Sequence, residues 1–254
     1  MGYSLKLLFA LMILIAGLIG ALLPVIDRKI IKSERWLYYG EYFARGIFLS
    51  AGLLHLLPDA AKQFQQLEPK VHYPLIFAIA VFTLFGIQLI EQLTNQFAAK
   101  KAFAQHWMPY LLLIILLFHS VVSGAALGID NQLSHVIIIF VAIISHKTAE
   151  GFALGMSMRE HQITKRVSLG LIVIFSLMTP LGIVASSVIS NVLDHTQAAY
   201  TQALFGGVAA GTFLYMASFK SIDLEDCLKE KANISATLSF GLGIAIMASV
   251  ALFV

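Results

Sequence analysis

Residues 119–155 read HSVVSGAALGIDNQLSHVIIIFVAIISHKTAEGFALG and contain one ten-residue pattern twice. The first copy spans residues 119–128 and the second spans residues 146–155, so matched positions lie 27 residues apart. Each copy begins with a histidine and has a second polar residue four positions later, which is Ser123 or Glu150. Positions i and i+4 lie on one face of a helix. The pattern therefore predicts two helices that each direct two polar groups toward one place.

The sequence around these motifs is predominantly apolar. Hydrophobic residues make up 59% of the 254 residues and charged residues only 12%, which is not typical of a soluble domain. Because a bilayer crossing needs about 20 apolar residues, we predict an all-α integral membrane protein with eight transmembrane segments and one transport domain over residues 1–254. The segments are Leu5–Ile26, Trp36–Leu57, Tyr73–Phe97, Pro109–Ile129, Leu133–Met158, Val167–Ile189, Ala198–Phe219 and Ile234–Val254.

The distribution of lysine and arginine predicts the orientation of the chain. Cytoplasmic loops carry the excess of positive charge. The connections after segments one, three, five and seven, with their flanks, hold twelve such residues, against three on the opposite side. Both termini are therefore expected outside. The twelve are Arg28, Lys29, Lys32, Arg35, Lys100, Lys101, Arg159, Lys165, Arg166, Lys220, Lys229 and Lys231; the three are Lys6, Lys62 and Lys70.

The paired motifs predict a metal site. Segments four and five are joined by a short connection, so His119, Ser123, His146 and Glu150 can converge. Two imidazoles and a carboxylate suit Zn²⁺, and also Fe²⁺, Mn²⁺ or Co²⁺. Ionisable groups within a membrane indicate a functional site, because burying them in hydrocarbon is costly.

A weaker similarity links Gly46-Ile-Phe-Leu49 in segment two with Gly211-Thr-Phe-Leu214 in segment seven. The predicted topology gives the members of each motif pair opposite directions through the membrane. The two pairs together indicate an inverted repeat, as in many secondary transporters. Small residues four apart, such as Gly124 with Gly128, also mark positions where helices can approach closely.

These motifs resemble the signatures of the ZIP family of divalent-metal transporters. Segments two and six carry further parts of the resemblance, in His55-Leu-Leu-Pro-Asp59 and Thr179-Pro-Leu-Gly182. The resemblance implies a bundle of eight helices arranged as a 3+2+3 inverted repeat, with a metal site between helices four and five. It also implies that Zn²⁺ or a related ion, including Cd²⁺, moves into the cytoplasm by alternating access.

The chain departs from the family pattern at two positions. Ser123 replaces the glutamate that is usual on helix four, which leaves Glu150 as the one carboxylate expected in the site. Lys147 stands where some members have a carboxylate for a second metal ion, so we predict a single-ion site with Lys147 as a countercharge. Ser120 is expected to assist the ligands.

Three other polar residues are candidates for the route of the ion. His55 and Asp59 lie near the outer end of segment two and are predicted at the entrance, whereas Glu91 in segment three is predicted to relay ions on the inner side or to make a structural hydrogen bond. Two other functions stay open. Two histidines and a glutamate also describe an intramembrane zinc-dependent hydrolase, and a structural bundle with a regulatory metal would use the same ligands.

The predicted partners are divalent metal ions and the lipid bilayer, and a homodimer is included as an assembly to test. The net charge of +3 reflects membrane topology, and no nucleic acid is expected. No prosthetic group is predicted, since the metal is the transported substrate. The expected location is the plasma (inner) membrane, which the chain crosses several times.

Overall fold

The computed structural model describes residues 3–26, 34–97, 101–130, 132–189, 195–218 and 234–253. All regular structure in these ranges is helical, and each helix carries the number of the predicted segment that it contains. The elements are α1 (Tyr3–Val25), α2a (Glu34–Ala51), a π-helical turn (Gly52–Leu56), α2b (Leu57–Leu67), α3 (Leu75–Phe97), α4 (Lys101–Ile129), α5 (Leu133–Glu160), α6 (Lys165–Ile189), α7 (His195–Ser218) and α8 (Ile234–Ala251).

Six of these helices, α1, α3, α4, α5, α6 and α8, are long and apolar enough to cross a bilayer, judged by length and composition. Large apolar side chains cover their outer faces, and Phe82 and Val81 on α3 are 70% and 62% exposed. A surface of this kind is stable in contact with lipid chains rather than water. The all-α integral membrane class is therefore confirmed. Helix two, which consists of α2a, the π-helical turn and α2b and is called α2 as a whole, does not meet this criterion of length and apolar composition in the described residues, and neither does α7.

The second predicted segment is longer than expected and is not a regular α-helix. Hydropathy predicted its end at Leu57, but helix continues to Leu67 through a π-helical turn, in which Leu57 N–H donates to the Gly52 carbonyl. The continuation is amphipathic, with Ala60 and Phe64 buried against the rest of the bundle. An amphipathic helix that buries one face in protein does not need a continuous apolar sequence. Single π-helical turns occur often at functional sites.

Glycines determine how the helices pair. A Cβ atom on Gly20 of α1 would lie 2.1 Å from a carbonyl oxygen of α5, and one on Gly124 of α4 would lie 2.3 Å from a carbonyl of α6. A Cβ atom on Gly46 of α2a would lie 2.1 Å from a carbonyl oxygen of α8, and one on Gly211 of α7 would lie 2.4 Å from a carbonyl oxygen of α3. Any larger residue would separate these backbones, as at other close helix crossings in membranes.

These pairings divide the described helices into two groups. Helices α1, α4, α5 and α6 pack together, and helices α2, α3, α7 and α8 form the second group. The groups meet where α2a contacts α5 and where α4 contacts α7. The paired motifs of α4 and α5 lie near the boundary between the two groups. Their buried polar side chains, His119, His146 and Glu150, are found there.

Candidate metal centre

His119 on α4 and His146 on α5 come together near the middle of the bundle. Their ring centroids are 5.7 Å apart. Glu150, one turn after His146, completes a group in which one ligand atom from each residue lies within 4.8 Å of the other two. The spacing of four residues on α5 and the short connection from α4 to α5 produce this convergence, as the sequence pattern predicts.

The distances within this group are close to those of a tetrahedral zinc site. Glu150 Oε1 lies 3.1 Å from His119 Nε2 and 3.5 Å from His146 Nε2. Metal–ligand bonds of 2.0–2.2 Å at tetrahedral angles require about 3.4 Å between ligand atoms. A divalent cation could therefore bind these three residues with small side-chain movements, and a fourth position would be left for water or a weak ligand.

Burial and missing hydrogen bonds also indicate a site for a cation. His119, His146 and Glu150 are each at most 3% exposed. Within the described ranges, Glu150 Oε1 and both ring nitrogens of His146 have no hydrogen-bond partner. Buried polar atoms are nearly always satisfied, and exceptions call for a functional explanation. A metal ion bound to Glu150 and to one ring nitrogen of His146 would give these buried atoms a partner.

Lys147 contacts the other carboxylate oxygen of Glu150, the one that does not face the histidines. Its Nζ donates hydrogen bonds to Glu150 Oε2 at 3.0 Å and to Ser120 Oγ at 2.7 Å. Lys147 is only 1% exposed, so the ammonium is neutralised by a carboxylate in a site nearly free of solvent. Ser120 thus contacts the lysine, whereas Ser123 lies beside the first ligand, with its Oγ 3.2 Å from His119 Nε2.

A cavity of about 730 Å³ connects the cluster with one end of the bundle. His119 and His146 lie on its wall, as do His55 and Asp59 from the π-helical turn and α2b. Asp59 Oδ2 is 2.8 Å from His55 Nδ1. A cation in this cavity would reach the buried ligands past these two residues without crossing apolar packing.

Phenylalanines close the opposite side of the cluster. The ring of Phe213 on α7 lies 4.6 Å from that of His119 and 5.3 Å from that of His146, between centroids. The ring of Phe48 on α2a packs against Phe213 at a tilted angle with centroids 5.2 Å apart, and both phenylalanines are fully buried. Sequence reasoning missed this pair as part of the site, although each is the third residue of the weaker repeated motif. Glu91 is not among the residues that line the cavity, and it accepts a hydrogen bond from Tyr215 at 2.5 Å.

The sequence model described as ZIP Zinc transporter matches residues 3–107 and 99–251 of the chain. The chain belongs to the ZIP family. Members of this family are transporters, so this ZIP protein is not an enzyme, and the hydrolase alternative is wrong. Transport of a divalent metal ion is its function, for which the cluster of His119, His146 and Glu150 provides suitable ligands.

Individual relatives agree with the family match. Zinc transporter ZIP1 of Bos taurus is 24% identical, in an alignment that covers 94% of this chain and 88% of that protein. Zinc transporter ZIP3 of Bos taurus is 26% identical, with 90% and 92% covered. Zinc transporter 3 of Arabidopsis thaliana is 24% identical, with 80% and 70% covered. The similarity therefore extends well beyond the paired motifs.

Proposed function

We propose that this ZIP protein carries Zn²⁺ into the cytoplasm through a single site formed by His119, His146 and Glu150. The observation that supports this most strongly is the convergence of three buried ligand atoms, within 4.8 Å of one another, at the inner end of an open cavity. Fe²⁺, Mn²⁺, Co²⁺ and Cd²⁺ have ligand preferences close enough to compete. The bilayer provides the barrier, and the cation is the substrate.

The proposed direction of transport rests on the charge distribution. The cavity opens between Asp59 of α2b, Asp130 at the end of α4 and His135 at the start of α5. This end of the bundle adjoins the connections that are poor in lysine and arginine, which the positive-inside rule assigns to the outside. The described conformation is then open to the outside. Eight crossings with both termini outside complete this topology.

The proposed 3+2+3 inverted repeat is supported by helix packing. In this repeat α1 corresponds to α6, α2 to α7, α3 to α8 and α4 to α5. The contact between α1 and α5 then corresponds to the contact between α6 and α4. In the same way, the contact between α2 and α8 corresponds to the contact between α7 and α3. Residues at matched positions of the repeats also meet. Phe48 contacts Phe213, and Lys147 donates a hydrogen bond to Ser120, which lies 27 residues earlier at the same position of the first copy. Alternating access would move one helix group against the other.

Proteoliposomes containing the purified protein should accumulate ⁶⁵Zn at a rate that saturates with zinc concentration. Because the ligands are nitrogen and carboxylate oxygen, excess Cd²⁺, Fe²⁺ or Mn²⁺ should reduce the uptake, whereas Mg²⁺, which prefers oxygen ligands and keeps its water, should not. Protein-free liposomes are the control. Uptake no faster than in those vesicles would contradict the proposed function.

We propose that His55 and Asp59 gather cations at the entrance. Both line the cavity and form an i,i+4 pair, and neither belongs to the group of three candidate ligands. His55→Ala should therefore reduce ⁶⁵Zn uptake severalfold at low zinc concentration, while the rate at saturating zinc stays near that of the unchanged protein. His72→Ala, which changes an exposed histidine outside this cavity, is the matched control. A lower saturating rate with unchanged concentration dependence would instead place His55 in a later step.

We also propose a role for Glu91, a cellular location, an assembly and a single transport domain. Glu91 is proposed on the inner route, where its hydrogen bond with Tyr215 would have to open for an ion to bind. The plasma membrane stays the predicted location, and a homodimer the assembly to test. The predicted domain, residues 1–254, agrees with a family match that extends along nearly the whole chain.

A further inference from the structure

The Lys147 side chain lies at the centre of the first helix group. It begins on α5, bonds to Ser120 on α4, and its Nζ lies 3.9 Å from the centroid of the Phe175 ring on α6. An ammonium has three N–H groups. Two of them serve Ser120 and Glu150, and the group also faces the aromatic ring, a contact that attracts cations but accepts no strong hydrogen bond.

Two buried hydroxyl groups on α6, three residues apart and therefore on one side of the helix, have no hydrogen-bond partners in the described ranges. Ser176 and Thr179 are 1% and 0% exposed, and neither Ser176 Oγ nor Thr179 Oγ1 is paired. Pro180 follows them inside the helix and has no N–H to donate to the Ser176 carbonyl four residues earlier. This part of α6 therefore offers acceptors in excess of donors, although it is fully buried.

Lys147 and Ser176 both lie against Gly17 of α1. A Cβ atom on Gly17 would lie 3.3 Å from Ser176 Oγ and 3.4 Å from Lys147 Cε. The lysine and the Ser176 hydroxyl can pack this close to α1 because residue 17 has no side chain. Rotation about the last bonds of the lysine could carry Nζ toward Ser176 while the side chain stays between the same helices.

Binding of a metal ion gives the lysine a reason to move. A divalent cation on Glu150 would take the negative charge that now neutralises Lys147 and would repel the ammonium at short range. We propose that Ser176 and Thr179 provide a second hydrogen-bonding position for the Lys147 ammonium, which it occupies when a metal ion binds Glu150. This inference rests on the metal site proposed above. It makes the two hydroxyls positioning residues that act on the metal site through the lysine.

The test is zinc affinity, measured by calorimetry on purified protein in nanodiscs. Ser176→Ala/Thr179→Val should bind zinc about 10-fold more weakly, because the ammonium then has no alternative to Glu150 and competes with the ion. Its thermal stability without metal should not fall, since the two hydroxyls have no partners to lose. Ser176→Thr/Thr179→Ser, which retains both hydroxyls, should bind zinc as the unchanged protein does. Unchanged affinity in the first variant would overturn the proposal.

A second background distinguishes this role from a structural one. In Lys147→Met there is no ammonium to receive, so adding Ser176→Ala/Thr179→Val should leave zinc affinity unchanged. A 10-fold loss in that background as well would overturn the proposal, because the hydroxyls would then act without the lysine. Ser186→Ala is the control, as it removes a buried α6 hydroxyl that bonds within its own helix. If neither that control nor the unchanged protein binds zinc, the metal site itself is wrong.

Discussion

His146→Leu should abolish zinc transport without destabilising the protein. Loss of one of three ligands should reduce ⁶⁵Zn uptake about 100-fold or more, since even indirect partners of metal ligands cost 10–100-fold. Neither ring nitrogen of His146 has a hydrogen-bond partner in the described part of the chain, and the ring packs against Phe213. Leucine keeps much of that packing and removes a buried unpaired polar group, which costs about 1–3 kcal/mol. The unfolding temperature without metal should therefore stay the same or rise.

Zinc-dependent stabilisation gives a second measure of the same change. A ligand at 100 times its Kd stabilises a folded protein by about 2.7 kcal/mol. Zinc should raise the unfolding temperature of the unchanged protein but not that of His146→Leu. His72→Leu is the matched control, because this histidine is exposed and is not among the residues that line the cavity. Uptake by His146→Leu near the unchanged rate would show that His146 is not a ligand.

The sequence shows which helices have small residues that allow close backbone contact, but it does not show which partner helix each of them packs against. Gly124 and Gly151 indicate backbone approach through their spacing, yet the partners of their helices, α6 and α1, depend on the packing of the whole bundle. The extension of helix two to Leu67 was also missed. Its last residues are amphipathic, and hydropathy alone cannot distinguish a helix that packs on protein from a polar connection.

The convergence of the three candidate ligands was predictable because a helical repeat fixes the direction of its side chains. His119, His146 and Glu150 converge as the i,i+4 spacing requires. Ser120 was expected among the assisting groups, but one position along a helix turns a side chain by about 100°, and its hydroxyl bonds to Lys147. Phe213 was missed because aromatic residues are common in membrane helices, and only the tertiary structure brings its ring against both histidines.

Glu150→Gln should abolish uptake and also destabilise the protein. Removing the carboxylate leaves the Lys147 ammonium buried, at 1% exposure, without a counter-ion. Removing one partner of a buried ion pair typically costs 3–5 kcal/mol. The unfolding temperature should therefore fall markedly, and a loss of uptake in this single variant would mix two causes. Thermal unfolding of the purified protein, measured beside uptake, quantifies the first cause.

The double variant Glu150→Gln/Lys147→Met separates these causes. It removes both charges and keeps similar volumes, so stability should return close to that of the unchanged protein, while uptake stays abolished because the carboxylate beside the two histidines is gone. Lys147 should also limit the site to one ion, because its ammonium stays buried between the same helices beside Glu150 and adds a positive charge that would repel a second cation. Calorimetry should find one zinc ion bound per unchanged chain, and two would contradict that role. If Glu150→Gln alone is as stable as the unchanged protein, Glu150 is not the counter-ion that keeps the lysine charged in the membrane interior.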